Sequence, residues 1–100
     1  MAVKFAVSTK KHGNLEFALV EFQINGGVIE PSELSQLSPP EVPLGKGVVI
    51  SGRGPVWLYA FLVHHFHPAK FVATFDPRLS AGVVVESHTK DVGVGDLIPV

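Results

Sequence analysis

The sequence predicts an α+β domain, with a mixed sheet of about five strands and two helices in the order ββαβαββ. Three observations predict it. Apolar runs of strand length recur along the chain, separated by clusters of Gly, Pro, Asn and Asp. One longer segment, from Pro55 to about Phe66, is apolar on every side and too long for a strand. Hydrophobic residues make up 46% of the chain and charged ones 17%, the balance of a packed globule rather than a disordered tail.

The elements follow in order. Lys4 to Thr9 reads as a strand, and Lys10-Lys11-His12-Gly13-Asn14 as the hairpin turn after it. Leu15 to Ile24 is a longer strand, apolar apart from Glu16, Glu21 and Gln23, and Asn25-Gly26-Gly27 ends it. Pro31 to Leu37 reads as a short helix, with Pro at its first position and Leu34 and Leu37 spaced to face a core. Pro39-Pro40 stops it, and Pro43 keeps the next segment extended. Gly47 to Ser51 is a continuous apolar run, the pattern of a central strand buried on both faces. Gly52-Arg53-Gly54 turns the chain into the second helix, which is apolar all round and therefore largely buried, and which ends before Pro68. Phe71 to Phe75 and Val83 to Val85 are further strands, and Leu97 to Val100 can add an edge.

One hundred residues make one domain, spanning 1–100. The chain has no cysteine, which excludes disulfides, thiolate metal sites and a cysteine nucleophile. The start, Met1 to Val7, interrupts its apolar run with Lys4 and reads as a strand rather than a signal peptide. No stretch approaches the roughly 20 apolar residues of a membrane span. The expected location is the cytoplasm, with no membrane partner. A net charge of −1 argues against a general DNA or RNA binder coated in positive potential. Six of the eight cations are scattered lysines, and the only two arginines, Arg53 and Arg78, follow apolar strands. Any anion is therefore expected at one local site.

Four groups of residues can carry chemistry. Ser51-Gly52-Arg53-Gly54-Pro55 joins a buried strand to a helix N-terminus, where backbone N–H groups and the helix dipole favour an anion. Its glycines let a ligand approach the backbone, and Arg53 offers a bidentate fork for phosphate. The same pattern also serves as a tight turn with an exposed arginine. His64, His65 and His67 cluster at the end of the apolar helix, suited to metal ligation, to acid–base chemistry or simply to the helix dipole. Asp76-Pro77-Arg78 sets a carboxylate and a guanidinium two residues apart at a strand end, able to hold a divalent cation and its phosphate together. Ser87-His88 follows the next strand. Glu86, Asp91 and Asp96 read as ordinary surface or turn charges, and His12 as inert. Arg53, Asp76–Arg78 and His88 all follow strands and His67 precedes one, which predicts a single site at the carboxyl ends of a partly parallel sheet. Two arginines, an aspartate and histidines suit metal-assisted phosphodiester cleavage.

Gly47 to Leu58, then His64 and His67, Phe71-Val72-Ala73, Phe75-Asp76-Pro77-Arg78-Leu79, Val83-Val84-Val85 and Ser87-His88 carry a family resemblance, to which Gly95-Asp96 adds a final turn. In these residues the sequence resembles the Csx-three family of CRISPR ring nucleases. The resemblance implies a ferredoxin-like fold, a homodimer, and manganese-dependent cleavage of cyclic tetra-adenylate held between two dimers, ending type III CRISPR second-messenger signalling. Carried over by position, it implies catalytic roles for His67, Asp76 and Arg78. It puts Ser51, Gly52, Arg53 and Gly54 in the ligand-binding turn, and His67, Asp76 and His88 at the metal. Ser80-Ala81-Gly82 departs from the family, where many relatives place glycine directly after Asp-Pro-Arg-Leu. Two alternatives stand beside this reading: a manganese-dependent RNA 3′-exonuclease, and a non-catalytic sensor of the cyclic nucleotide.

Overall fold

The chain begins as a long hairpin. β1 (Val3–His12) and β2 (Leu15–Ile24) pair antiparallel along their full length, from Val3 opposite Ile24 to His12 opposite Leu15. Gly13 turns between them at φ +59°, a region that glycine enters without steric penalty. The computed structural model describes residues 2–100, and Met1, the first residue of the apolar N-terminal run, lies outside the described residues.

From β2 the chain crosses over through a 3-10 turn at Asn25–Gly27 and a 3-10 helix at Pro31–Gln36. The latter stands where the sequence predicts an ordinary helix over Pro31 to Leu37. A capping box starts it, with the Glu30 N–H donating to Glu33 Oε2 at 2.7 Å. Pro39 and Pro40 then leave no room for the further turn that i→i+4 bonding requires. β3 (Gly47–Gly52) joins β2 in parallel. α1 (Val56–His65) returns the chain to β4 (Phe71–Asp76), parallel to β3. β5 (Ala81–Ser87) and β6 (Leu97–Pro99) complete the sheet as antiparallel neighbours.

The sheet therefore has six strands in sequential order, β1-β2-β3-β4-β5-β6, rather than about five. The sixth is the edge at Leu97–Pro99, only three residues long. This order also differs from the β-α-β-β-α-β unit of a ferredoxin-like fold. Here a hairpin precedes the first crossover and two antiparallel strands follow the second, so no strand is interleaved. What holds of the expectation is an α+β domain with a mixed sheet.

Both crossovers cover the same face. Leu34, Leu37 and Val42 from the first and Leu58, Leu62 and Phe66 from the second pack on Val20, Phe22, Val48, Ile50 and Val72. Successive right-handed crossovers that advance in one direction must share a face. The opposite face buries Phe17, Leu19, Val49, Phe71, Ala73, Val84, Val92 and Ile98 without a helix over it. The sheet covers that face by curling. A Cβ on Gly82 of β5 would stand 2.9 Å from Val49 Cγ1 on β3, two strands away, where a flat sheet sets backbones about 10 Å apart. Strong curl brings the two strands together, and only glycine fits between them.

Two local features shape the surroundings of the strand ends. Ser80 sits at φ +51° in the turn between β4 and β5, the left-handed region in which glycine is favoured. The residue directly after Asp-Pro-Arg-Leu, where the sequence departs from glycine, is thus the one whose backbone suits glycine. The other feature is α1, which is apolar at every position but His64 and His65, yet the fold buries only Leu58 and Leu62 fully. Val56 is 80% exposed, Ala60 is exposed, and Trp57 and Val63 are half-buried. The sheet covers the inner half of the helix alone, so the expectation of a largely buried helix fails within one chain. No helix among the described residues is long and apolar enough to cross a membrane.

The tightest packing is at Gly47, where a Cβ would lie 2.1 Å from ring carbons of Phe71. Gly47→Ala should therefore lower stability by about 1–3 kcal/mol through overpacking. Urea denaturation should show a lower midpoint at unchanged slope.

Candidate functional site

Because β2, β3 and β4 run parallel, their carboxyl ends open on one side of the sheet. A cleft of about 700 Å³ lies there, lined by Ser51, Gly52, Arg53, Gly54, Asp76 and Pro77 among others. The predicted ligand-binding turn and the predicted carboxylate thus meet.

The turn is held from beneath. A Cβ on Gly52 would lie 2.6 Å from the Phe22 ring and from the Phe22 carbonyl oxygen, and one on Gly54 would lie 2.8 Å from the same ring. Close packing on Phe22 is thus a second reason for both glycines, beside access for a ligand. Tyr59 packs edge-on to Phe22, with ring centroids 5.2 Å apart. Its hydroxyl accepts the Gly52 N–H at 2.9 Å and donates to the Gly52 carbonyl. Burial pushes the phenol's pKa up, and the Gly52 bond opposes it. Tyr59 is a positioning residue that the sequence reading missed. Its one signal is a polar tip on an otherwise apolar helix, one turn inside the N-terminus. The Gly52 N–H is thereby taken and does not point at the cleft as a free donor. Arg53 is exposed, and among the described residues it forms no ion pair. It also borders a second cleft of about 740 Å³ with Lys4, Glu21 and Gln23.

Asp76 and Arg78 form one unit. Asp76 Oδ1 accepts the Arg78 backbone N–H at 2.9 Å and Arg78 Nε at 3.3 Å, while Oδ2 accepts the terminal guanidinium nitrogen at 3.0 Å. The Arg78 side chain, then its backbone N–H, holds the Asp76 carboxyl below the usual range, and Asp76 raises Arg78 in return. Such a carboxylate stays ionised. It suits holding charge or a cation better than accepting a proton. The Arg78 side chain is 86% exposed, so its guanidinium keeps free N–H donors toward solvent.

The histidines are elsewhere. α1 runs back along the sheet, and β5 is antiparallel to β4, so His64, His67 and His88 gather at the amino end of β4. His88 donates its backbone N–H to the Lys70 carbonyl at 2.9 Å, and its Nε2 lies 3.0 Å from the His67 carbonyl and 3.2 Å from Glu86 Oε1. The six residues of β4 put this cluster about 16 Å from Asp76. One site uniting all four groups, as predicted from strand ends, does not form in a single chain. The error lies in strand direction: following a strand places a residue at the shared carboxyl end only if that strand is parallel to the others, and β5 is not.

Local bonding nevertheless prepares the histidines. His67 Nδ1 is 3.1 Å from the His64 carbonyl, and the two rings stack with centroids 5.7 Å apart. With Nδ1–H donating, neutral His67 presents the Nε2 lone pair outward, free for a proton or a metal. Glu86, read as an ordinary surface charge, is the acidic member of this cluster. The metal set His67, Asp76 and His88 is not assembled. Among the described residues no three His, Asp or Glu side chains gather closely enough to hold an ion, so a divalent metal does not fit one chain alone.

Comparison with known proteins places these residues. A family model described as "CRISPR-associated protein (Cas_csx3)" matches residues 22–99, which include both ends of the sheet. A protein of Aquifex aeolicus (strain VF5), described as uncharacterized, is 43% identical over 89 residues, which cover 85% of this chain and 79% of its own.

The Asp76–Arg78 pair has a pH signature. Asp76 titrates lower folded than unfolded, so its contribution to stability is present above the unfolded pKa and is lost as pH falls through the folded one. Arg78→Ala should return the Asp76 titration upward toward an ordinary carboxyl. Carboxyl-detected NMR would measure the shift.

Proposed function

The chain belongs to the Csx-three family of CRISPR-associated proteins, and on that basis we propose that it is a ring nuclease. It opens cyclic tetra-adenylate and so switches off type III CRISPR signalling. The observation that carries this reading is the cleft at the carboxyl ends of β3 and β4, where Arg53, a glycine turn and Asp76, itself paired with the exposed Arg78, converge. Such a cleft suits a phosphodiester: Arg53 binds a phosphate in the ground state, and Arg78 meets the charge that grows on it during cleavage. His67 has one free lone pair, on Nε2, which suits either a proton from the attacking oxygen or a bond to a metal, one at a time.

These groups lie at opposite ends of one chain, and the proposal joins them through assembly. A cyclic tetranucleotide presents four phosphates, whereas one chain has two arginines and a net charge of −1. Symmetric copies around the ring supply more cations and bring the histidine end of one copy to the Asp76 end of another. The family's dimers, and a dimer of dimers around the ligand, are arrangements of this kind. A Mn²⁺ ion would be held by His67 and His88 of one copy with Asp76 of another, a nitrogen and oxygen set suited to it. There it would polarise the scissile phosphate.

One observation favours a second reading. The arginine and glycine turn lines a cleft within a single chain, while among the described residues no three metal-ligating side chains gather, an arrangement compatible with a cyclic-nucleotide sensor. Incubation with cyclic tetra-adenylate and with linear RNA, with and without Mn²⁺, followed by chromatography, separates the readings. Linear product from the ring that disappears on chelation is expected. Trimming of linear RNA alone would point to an exonuclease, and tight binding without product to a sensor.

Arg53→Ala should weaken ring binding by about 10- to 150-fold, equivalent to about 1.5–3 kcal/mol for one charge-assisted contact, while Asp76→Ala should mainly lower turnover. Titration calorimetry and single-turnover rates distinguish the two effects. Mixing inactive His67→Ala and Asp76→Ala proteins should restore part of the activity, because mixed assemblies contain some sites with both native groups.

A further inference from the structure

A second cleft, of about 740 Å³, lies beside the one already described, and Arg53 borders both. That volume is in the range of small-ligand pockets. Its wall is the open end of the β1–β2 hairpin, with Gly27 of the turn that follows. Antiparallel register sets Lys4 opposite Gln23 and Ala6 opposite Glu21, so these four side chains share one face of the hairpin. Phe22 and Ile24 alternate with Glu21 and Gln23 along β2 and pack on the other face, under the crossovers. Ala6 stops at its Cβ and leaves room between the longer side chains. Parallel register then places Ser51, the start of the Arg53 turn, opposite Glu21. Lys4, Glu21 and Gln23 are exposed, and among the described residues none of their side chains forms a hydrogen bond or an ion pair. Three polar groups that the fold does not use thus line a cleft with the arginine of the phosphate-binding turn.

We infer that this cleft is a nucleobase pocket for the nucleotide whose phosphate Arg53 binds, and that Gln23 and Glu21 select adenine within it. The inference rests on the nuclease reading for that phosphate. The charges favour a base over a second phosphate: the Glu21 carboxylate repels an anion, whereas a base is neutral and edged with donors and acceptors. Lys4, on the same face, offsets the Glu21 charge, so the cleft beyond Arg53 is close to neutral. The Gln23 amide carries an acceptor oxygen and two N–H donors. Adenine presents its N6 amine beside the N7 acceptor, the pair that a glutamine side chain meets with two hydrogen bonds. The amine has a second hydrogen, and Glu21, two residues back on the same face and about 7 Å away, is an acceptor for it. A guanine or hypoxanthine edge presents O6 and N7, two acceptors, to the same side chains. Toward that edge the Glu21 carboxylate meets a lone pair with no proton between them, and polar groups left unpaired in this way cost binding. Arg53 then has a defined part between the clefts, with phosphate on the Asp76 side and base on the Gln23 side.

The test compares cyclic tetra-adenylate with the same ring built from inosine, in which O6 replaces the N6 amine. A chelator is present, so that cleavage does not intervene. Titration calorimetry is expected to show the wild type binding the adenine ring about 10-fold or more tightly than the inosine ring. Glu21→Gln, whose amide can donate to O6, is expected to bring the two affinities together. Gln23→Ala is expected to weaken the adenine ring by about 10-fold, with circular dichroism unchanged in both variants. Equal affinities in the wild type, or a preference for adenine that survives Glu21→Gln intact, overturns the pocket and leaves the nuclease standing. If neither ring binds, the nuclease reading fails, and the NMR signals of the Gln23 side-chain amide decide the pocket with 5′-AMP as the probe. A shift that 5′-IMP and inorganic phosphate do not produce upholds it, and the lack of such a shift overturns it.

Discussion

Parallel pairing of β2, β3 and β4 is the constraint on which the rest of the molecule is built. Two parallel neighbours in sequence need two crossovers, and both crossovers lie on one face, so that face is roofed and the other is not. The unroofed face is as apolar as the roofed one, and the sheet must curl until β5 reaches β3. That curl is why bulk disappears at Gly82, where Val49 takes the space of a side chain, while at Gly47 the ring of Phe71 on the adjacent strand does so. Parallel pairing also brings the ends of β3 and β4 together, which forms the cleft from a turn and a strand end far apart in sequence.

The same constraint separates the chemistry. Whatever stands at the carboxyl end of a parallel strand is a strand's length from whatever precedes it, and α1 only returns the chain to the starting end. Arg53 and Asp76 fall on one side, His64, His67 and His88 on the other. Each end is nevertheless internally complete. Tyr59 locks the Gly52 peptide so that Arg53 projects from a fixed base, and Arg78 keeps Asp76 ionised. At the far end the His64 carbonyl fixes the His67 tautomer, and the His67 carbonyl engages His88. Backbone carbonyls that orient imidazoles are what a reacting or ligating histidine requires.

Much of this was legible in the residues. The strands were readable because their apolar runs are bounded by Gly, Pro and Asp, and Leu15–Ile24 matched the observed strand throughout. The Arg53 turn and Asp76 were readable as partners because both end strands that prove to be parallel. His88 was misplaced because composition does not encode strand direction: Val83–Val85 looks the same running either way, and only the short turn over Asp76–Ser80 requires antiparallel return. The helix over Pro31–Leu37 was half right, its start signals being real and its length insufficient. Tyr59 and Glu86 were invisible because their roles come from contacts across seven and two residues that no motif marks.

The failure of the burial expectation for α1 has the widest consequence. Hydrophobic pattern states which residues favour burial, and a small fold can cover only part of them: here the sheet covers the inner half of the helix. In β3 the pattern and the single chain agree, since Val48, Val49 and Ile50 are wholly buried. In α1 they disagree on one face only, and the disagreement stops at His64, where the polar cluster begins. A chain of this size buries only about two thirds of its unfolded surface and has little stability to spare. Val56, 80% exposed, is the part of that face left in water, while Trp57 and Val63 still pack in part on the core.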